Sequence, residues 1–395
     1  MARIVAAARA WLRKAQRSQE KLDATASGPR LSIPVRIADE PQETRRGSDE
    51  RSNQPFYEMD AKRLWGYYYF YHSSYEHRND LLYAELVSFR LGDLHPVTEN
   101  SVRVEDVRIQ LRGVRFRLPQ KLRRHADHAV SFFQKLGKIN KNAVTGDWEN
   151  NESIRVSSLT PNGIFICQRA NYFDQVGTNL TLDWDSTFLP DSSATIRASL
   201  ERPISGKLPS FQNSMLANTL GTAIMFYDRE LKRAMLRLRS DKLASIAKKA
   251  LHCTVSGVLE IAPDTRAGEY SFDFFYYGTH LEIKMETNLE KSQYLLFPVA
   301  FARELPRGGK PQLFFVAIAL VDDDEFEKAC QTAVEANEYV RRPDETFFDS
   351  KGGDAIEQSE AFTYEGYACQ YLAEDFVRAN ESALRQLVLT SCATL

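Results

Sequence analysis

Two glutamates four residues apart, Glu282 and Glu286, are the strongest chemical signal in this chain of 395 residues. A helix over Leu281–Leu289 places both carboxylates on one face, about one turn apart. Such a pair suits a hard divalent cation such as Mg²⁺, which takes oxygen ligands and leaves room for substrate phosphates. A cation held there offsets charge on a diphosphate and helps generate a nucleophilic water. The pair alone is a weak signal, because glutamates at this spacing are common on solvated helix faces. Basic residues flank it in sequence: Arg237 and Arg239 before Ser240, and Arg303, Arg307 and Lys310 beside Glu304. They read either as contacts to a phosphate or base, or as the solvated rim of a hairpin, with the rim preferred.

The elements that must position these residues follow from periodicity and turn chemistry. Leu216–Asp228 reads as a strand and Arg233–Leu238 as its hairpin partner, with Asp228 near the tip. Cys253–Ile261 is a further strand, broken at Ser256–Gly257. Tyr294–Phe301 and Gln312–Leu320 are two more, separated by the turn Arg307–Pro311. Upstream, Ser101–Leu118 and Ser153–Ala170 alternate as strands do, and Leu122–Leu136 has helical spacing. Strands, a helix, then strands with later helices predict an α+β fold.

The order of strand, turn, Arg237–Ser240, Ser256–Glu260, the helix Leu281–Leu289, strand and the Arg307–Phe315 hairpin resembles the Nudix domain, over about Leu208 to Leu320. The likeness implies a Nudix-like α/β/α sandwich in the C-terminal region, here residues 201–395, after a separate mixed α/β region over 55–200. In that family a glycine-containing loop enters a helix of pattern R-E-U-x-E-E-x-G-U. Glu282 and Glu286 match its first and last glutamates, and Ile283 and Leu289 its aliphatic positions. Gly257 and Glu260 resemble the entry to the loop. The resemblance implies metal ligation by Glu286, ligation or general-base work by Glu282, and further metal contacts from Glu260 and Glu269. It also implies a nucleotide or nucleoside diphosphate derivative as ligand and Mg²⁺ as cofactor.

Departures from the family pattern bear on activity. Leu281 stands where the motif arginine belongs, Met285 replaces one of the paired glutamates, and Asn288 replaces the helix-ending glycine. Asn tolerates left-handed backbone better than most residues. The loop glutamate expected six beyond Gly257 meets Pro263, so Glu269 serves only with insertions. A site built around a carboxylate it no longer has binds metal weakly. The leading expectation is therefore a sensor or binding module with weak or lost hydrolase activity. An active Mg²⁺-dependent hydrolase and a purely structural interaction protein are the alternatives.

Composition narrows the remaining classes. An apolar content of 43% can fill a sizeable core, and a formal net charge of -2 lacks the basic excess of a nucleic-acid binder. Local runs such as Arg112–Arg117 and Lys121–Arg124 read as solvated faces. Five scattered cysteines without a CxxC pair point to free thiols in a cytosol-like compartment. His125 and His128 read as a surface pair. No apolar run reaches the roughly 20 residues of a membrane span. The basic segment before Glu20 reads as a frayed helix, with organelle targeting as the alternative, and 1–54 as an unpacked arm and linker. The aromatic run Leu64–Tyr75 fits either helix or strand and reads as core rather than as a stacking platform. Asp322–Glu325 reads as a helix cap, and Tyr364–Leu389 as an amphipathic helix that packs on the domain, with a homodimer contact as the second reading.

Overall fold

The computed structural model describes residues 61–74, 81–141, 145–184, 188–189, 195–239, 250–336, 339–340, 348–349 and 362–393. The N-terminal arm and Ser240 lie outside them. In chain order the strands are β1 (Tyr83–Arg90), β2 (Ser101–Arg103), β3 (Arg108–Leu111), β4 (Glu152–Leu159), β5 (Ile164–Asn171), β6 (Gly221–Tyr227), β7 (Arg233–Ala234) and β8 (Arg237–Arg239). They continue as β9 (Leu251–His252), β10 (Val255–Val258), β11 (Gly268–Tyr270), β12 (Tyr294–Glu304), β13 (Lys310–Ala319), β14 (Tyr339–Val340) and β15 (Phe348–Asp349). The helices are α1 (Ala61–Tyr67), α2 (Tyr69–Ser74), α3 (Gln120–Lys135), α4 (Tyr172–Val176), α5 (Ile196–Ser199), α6 (Asp273–Thr287), α7 (Asp323–Gln331) and α8 (Tyr364–Cys392). Helices and mixed sheets together make the fold α+β. No helix among the described residues is long and apolar enough to cross a membrane.

The largest sheet runs β15-β7-β6-β13-β12-β1-β2, with β10 also paired to β6. Alternate residues of its central strands enter two different cores. Met225, Tyr227, Phe314, Val316 and Ile318 pack under α8 through Tyr367, Leu372 and Phe376. Ile224, Phe226, Leu313, Phe315 and Ala317 pack against Phe275 and Ile283 of α6 and against Ile109, Val156 and Phe165 of the second sheet. That sheet has the order β11-β3-β5-β4. The expected boundary at 200/201 is therefore crossed by strand pairing. Val87 of β1 lies opposite Phe301 of β12, Glu269 of β11 lies opposite Gln110 of β3, and Arg155 of β4 bridges to Thr219. Cutting there would orphan ladder hydrogen bonds on both sides.

Local readings met the structure unevenly. The segment Arg233–Leu238 is not one strand: β7 joins the large sheet, whereas β8 pairs with β9 and β14. Between them Thr254 Oγ1 donates to the Met235 carbonyl, which takes that acceptor out of the ladder. The aromatic run is helical, and Leu64, Tyr68 and Tyr71 are core residues. Helix α6 starts well before Leu281 and ends on Asn288 at φ 56°, the left-handed cap that Asn accepts. Asp322 caps α7 by accepting from the Glu325 N–H. The histidine pair divides: His128 is exposed, but His125 is buried against Trp184, with Nε2 3.0 Å from Thr181 Oγ1. All five cysteines are free.

One buried cation ties the early helices to the β12–β13 hairpin. Arg197 is 0% exposed and donates through Nε and Nη2 to the two oxygens of Asp183, both at 2.7 Å. Its Nη1 reaches the Tyr68 hydroxyl and the Leu305 carbonyl. Asp183→Asn would leave a buried guanidinium without the carboxylate charge that pairs with it. It should cost about 3–5 kcal/mol, read from the midpoint of a urea transition. A second buried group makes stability pH-dependent. Burial pushes Glu201 up to about 7, and its Oε2 has no hydrogen-bond partner among the described residues. A carboxyl raised in the folded state favours folding most when protonated, so its contribution is lost as pH rises from about 4.5 through about 7. Glu201→Gln should flatten that decline, which urea midpoints measured between those pH values and above would reveal.

Candidate functional site

Helix α6 carries Phe275, Thr279, Ile283 and Glu286 on its buried side, so the helical period that fills the core also carries Glu286 inward. Its carboxylate is fully buried and accepts from the Ser256 N–H at 2.8 Å. Arg237 of β8 lies behind it, with Nη1 3.5 Å from Glu286 Oε2 and Nη2 3.1 Å from the Glu286 carbonyl. Arg237 thus holds this glutamate from behind. It does not line the cleft as a ligand-binding residue would.

Glu282 faces the next strand at Gly257. A Cβ on Gly257 would lie 2.2 Å from Glu282 Oε2, so glycine there is what lets the carboxylate rest on the backbone. A third carboxylate joins them from outside the helix. The turn after α7 docks its Glu335 N–H on the Met285 carbonyl at 3.1 Å. Ligand oxygens of Glu282, Glu286 and Glu335 then lie within 4.8 Å of one another. This third carboxylate comes from fifty positions after Met285 in the chain. No local pattern around Glu335 marks it.

Glu282 and Glu335 line a cleft of 260 Å³, while Glu286, fully buried beside them, does not reach its surface. Glu260 lines it too, accepting from Asn151 Nδ2 and held above the usual carboxylate range by burial. Glu269 does not: it sits in β11 and accepts from Gln110 Nε2 at 3.0 Å, so the structure does not bring it to the other glutamates. Arg303 is absent as well. Neighbours in a strand point to opposite faces, which turns Arg303 away from the cleft while Glu304 enters it.

The floor is charged and buried rather than a solvated rim. Glu304, Arg307 and Lys310 are each 6% exposed. Lys310 Nζ donates to Gln312 Oε1 at 3.0 Å, and Gln312 Nε2 donates to Glu365 Oε1 at 2.8 Å. Gly221 opposite leaves room for both side chains, since a Cβ would lie 2.3 Å from Lys310 Nζ. Burial raises Glu304 and Glu365 and lowers Lys310. Arg239 completes the basic side. Its Nη1 donates to Ser256 Oγ at 3.3 Å, while its buried Nε has no hydrogen-bond partner among the described residues. An unpaired buried N–H on a cation costs stability and suits an anionic acceptor.

The chemistry of the donor set fits Mg²⁺: three carboxylates and no sulfur or imidazole among them. A second group, His252, Cys253 and Glu365, does not fit a metal. Both ring nitrogens of His252 are engaged, Nδ1 with Thr363 Oγ1 and Nε2 with Ser256 Oγ at 2.8 Å. Burial and the nearby Arg239 and Arg237 hold that imidazole well below its ordinary pKa. Gly257→Ala should displace Glu282 and weaken Mg²⁺ binding by about tenfold or more, as loss of ligand orientation does. Titration calorimetry would check it; unchanged affinity would remove Glu282 from the site.

No family model matches the chain, and no curated protein matches it. Among solved structures, that of DR0079 from Deinococcus radiodurans is similar over 40% of this chain and 82% of that one, at 12% identity and a TM-score of 0.25.

Proposed function

We propose that the cleft binds the phosphate portion of a nucleotide-type ligand through Mg²⁺, and that hydrolysis there is weak or absent. The observation that carries this is one cleft lined by Glu282 and Glu335, whose oxygens cluster with those of the buried Glu286, and by Arg239, Arg307 and Lys310. Glu282, Glu286 and Glu335 would hold the cation, which supplies charge neutralisation for phosphate oxygens and activation of water. Arg239 would use its Nε on a phosphate oxygen, forming a charge-assisted bond stronger than a neutral one. A volume of 260 Å³ is small for a whole nucleotide, so base and sugar stay at the mouth. The Ser256 N–H and Arg237 already engage the Glu286 carboxylate, which blunts its charge toward a metal and argues for binding over turnover.

The second reading is an active Mg²⁺-dependent hydrolase of a nucleoside diphosphate derivative. Glu335 favours it, because it restores the carboxylate count missing from the helix. ADP should raise the melting temperature only with Mg²⁺ present, following RT ln(1 + [L]/Kd). Glu335→Gln should weaken that dependence by about tenfold, or about 1.4 kcal/mol. The absence of any ADP shift, with or without Mg²⁺, would sink the binding reading. Release of phosphate or nucleoside monophosphate from ADP-linked compounds, abolished in Glu286→Gln, would establish the hydrolase instead.

A further inference from the structure

A second and larger cleft, 590 Å³, opens where the large sheet and the second sheet diverge. That volume lies inside the range of small-molecule sites. Phe165 and Phe301, in edge contact with ring centres 5.2 Å apart, make an apolar base with Val87, Leu159 and Phe211 beside it, and Asn100, Ser101, Thr160 and Gln212 also line the cleft. Among its polar groups are Glu85 and Arg303, the arginine that does not reach the first cleft.

Glu85 stands in a β-bulge of β1, between the Ala84–Arg303 and Val87–Phe301 pairs, and has φ 55°. A non-glycine residue in the left-handed region costs on the order of 1 kcal/mol or more, and bulges re-aim side chains beside functional sites. The result is a carboxylate turned to the cleft and 43% exposed there. Arg303 Nη1 lies 3.2 Å from both of its oxygens, and the Tyr71 hydroxyl donates to Oε1 at 2.7 Å. The donors around it are committed. Arg303 Nε serves the Gly309 carbonyl and Nη2 the Pro209 carbonyl, and its guanidinium lies 4.1 Å from the centre of the Phe211 ring. Glu85, with about four lone-pair sites, retains acceptor capacity.

We propose that this second cleft binds a flat, mainly apolar, uncharged molecule that presents N–H donors to Glu85, an aromatic amide or amino-heterocycle being the chemical class. Arg303 and Lys207 outnumber Glu85 in charge in this cleft, which disfavours a cation. The spare group is an acceptor, which disfavours an anion. The apolar base takes the ring system, and the donors supply the orientation.

The probe is 2-naphthamide, compared with N,N-dimethyl-2-naphthamide, which keeps the shape and loses the N–H donors. Saturation-transfer NMR and thermal shift should show the primary amide binding and the dimethyl amide at least about tenfold weaker, the loss of one well-made hydrogen bond. Val87→Phe, which fills the cleft from β1, should abolish binding while the protein melts cooperatively. Leu159→Trp fills it from β4 and decides the matter should the first variant fail to fold. Mg²⁺ and ADP should not compete with the probe. Equal binding of the two amides, binding that survives both filled variants, or no binding at all would overturn the proposal.

Discussion

Strands β6 and β13 run parallel, with Gln312 opposite Gly221 and Ile318 opposite Tyr227, and every residue of both is buried. A parallel pair covered on both faces needs apolar residues along its whole length. Tyr227 and Ile318, at one end, meet that demand. At the other end Gly221, Thr222, Lys310 and Gln312 break it, and this is where the first cleft opens. The packing that buries the pair therefore brings a lysine, an arginine and two glutamates into a place from which water is largely excluded. Every other element of the site is set against that floor: α6 through its contacts with β10, and α8 through Glu365.

Charges in such a place are stabilised only in combination. Lys310 and Glu365 are joined through Gln312, and Arg307 Nε lies 3.8 Å from Glu304 Oε1. Ser256 belongs to a second chain of contacts, linking His252 and Arg239 by its hydroxyl and Glu286 by its N–H. Ser256 thus stands between the acidic wall and the basic floor, a position that a strand residue beside a glycine can hold without steric conflict. Such fixed polar groups do not need to reorganise when a charged ligand arrives.

Much of the fold was legible in the residues, because strands and helices with one buried face announce their period. The long strands β12 and β13 and the helices α3 and α8 fall where alternation and three-to-four spacing place them. Within the site, Glu282, Glu286 and Gly257 were legible because helix geometry and a glycine have local consequences. Glu335 was not, since its place beside Met285 is set by a turn after α7 that carries no pattern of its own. Arg303 and Arg237 stood open between ligand contact and solvated rim, and are neither, because sequence proximity does not say which face of a strand a side chain takes. One residue of register separates Arg303 from Glu304, and that residue puts them in different clefts. The strand pairing across 200/201 was not legible for a related reason. A strand's partner in a sheet is chosen by tertiary packing, so β1 and β4 show no sign in sequence of the later strands they join.

The margins of the large sheet bear on how copies of this chain meet one another. Its outermost strands among the described residues are β2, with three residues, and β15, with two. Short margins present few unpaired amides to a foreign strand, and natural sheets use that shortness to resist edge-to-edge aggregation. Self-association by strand addition is therefore poorly templated.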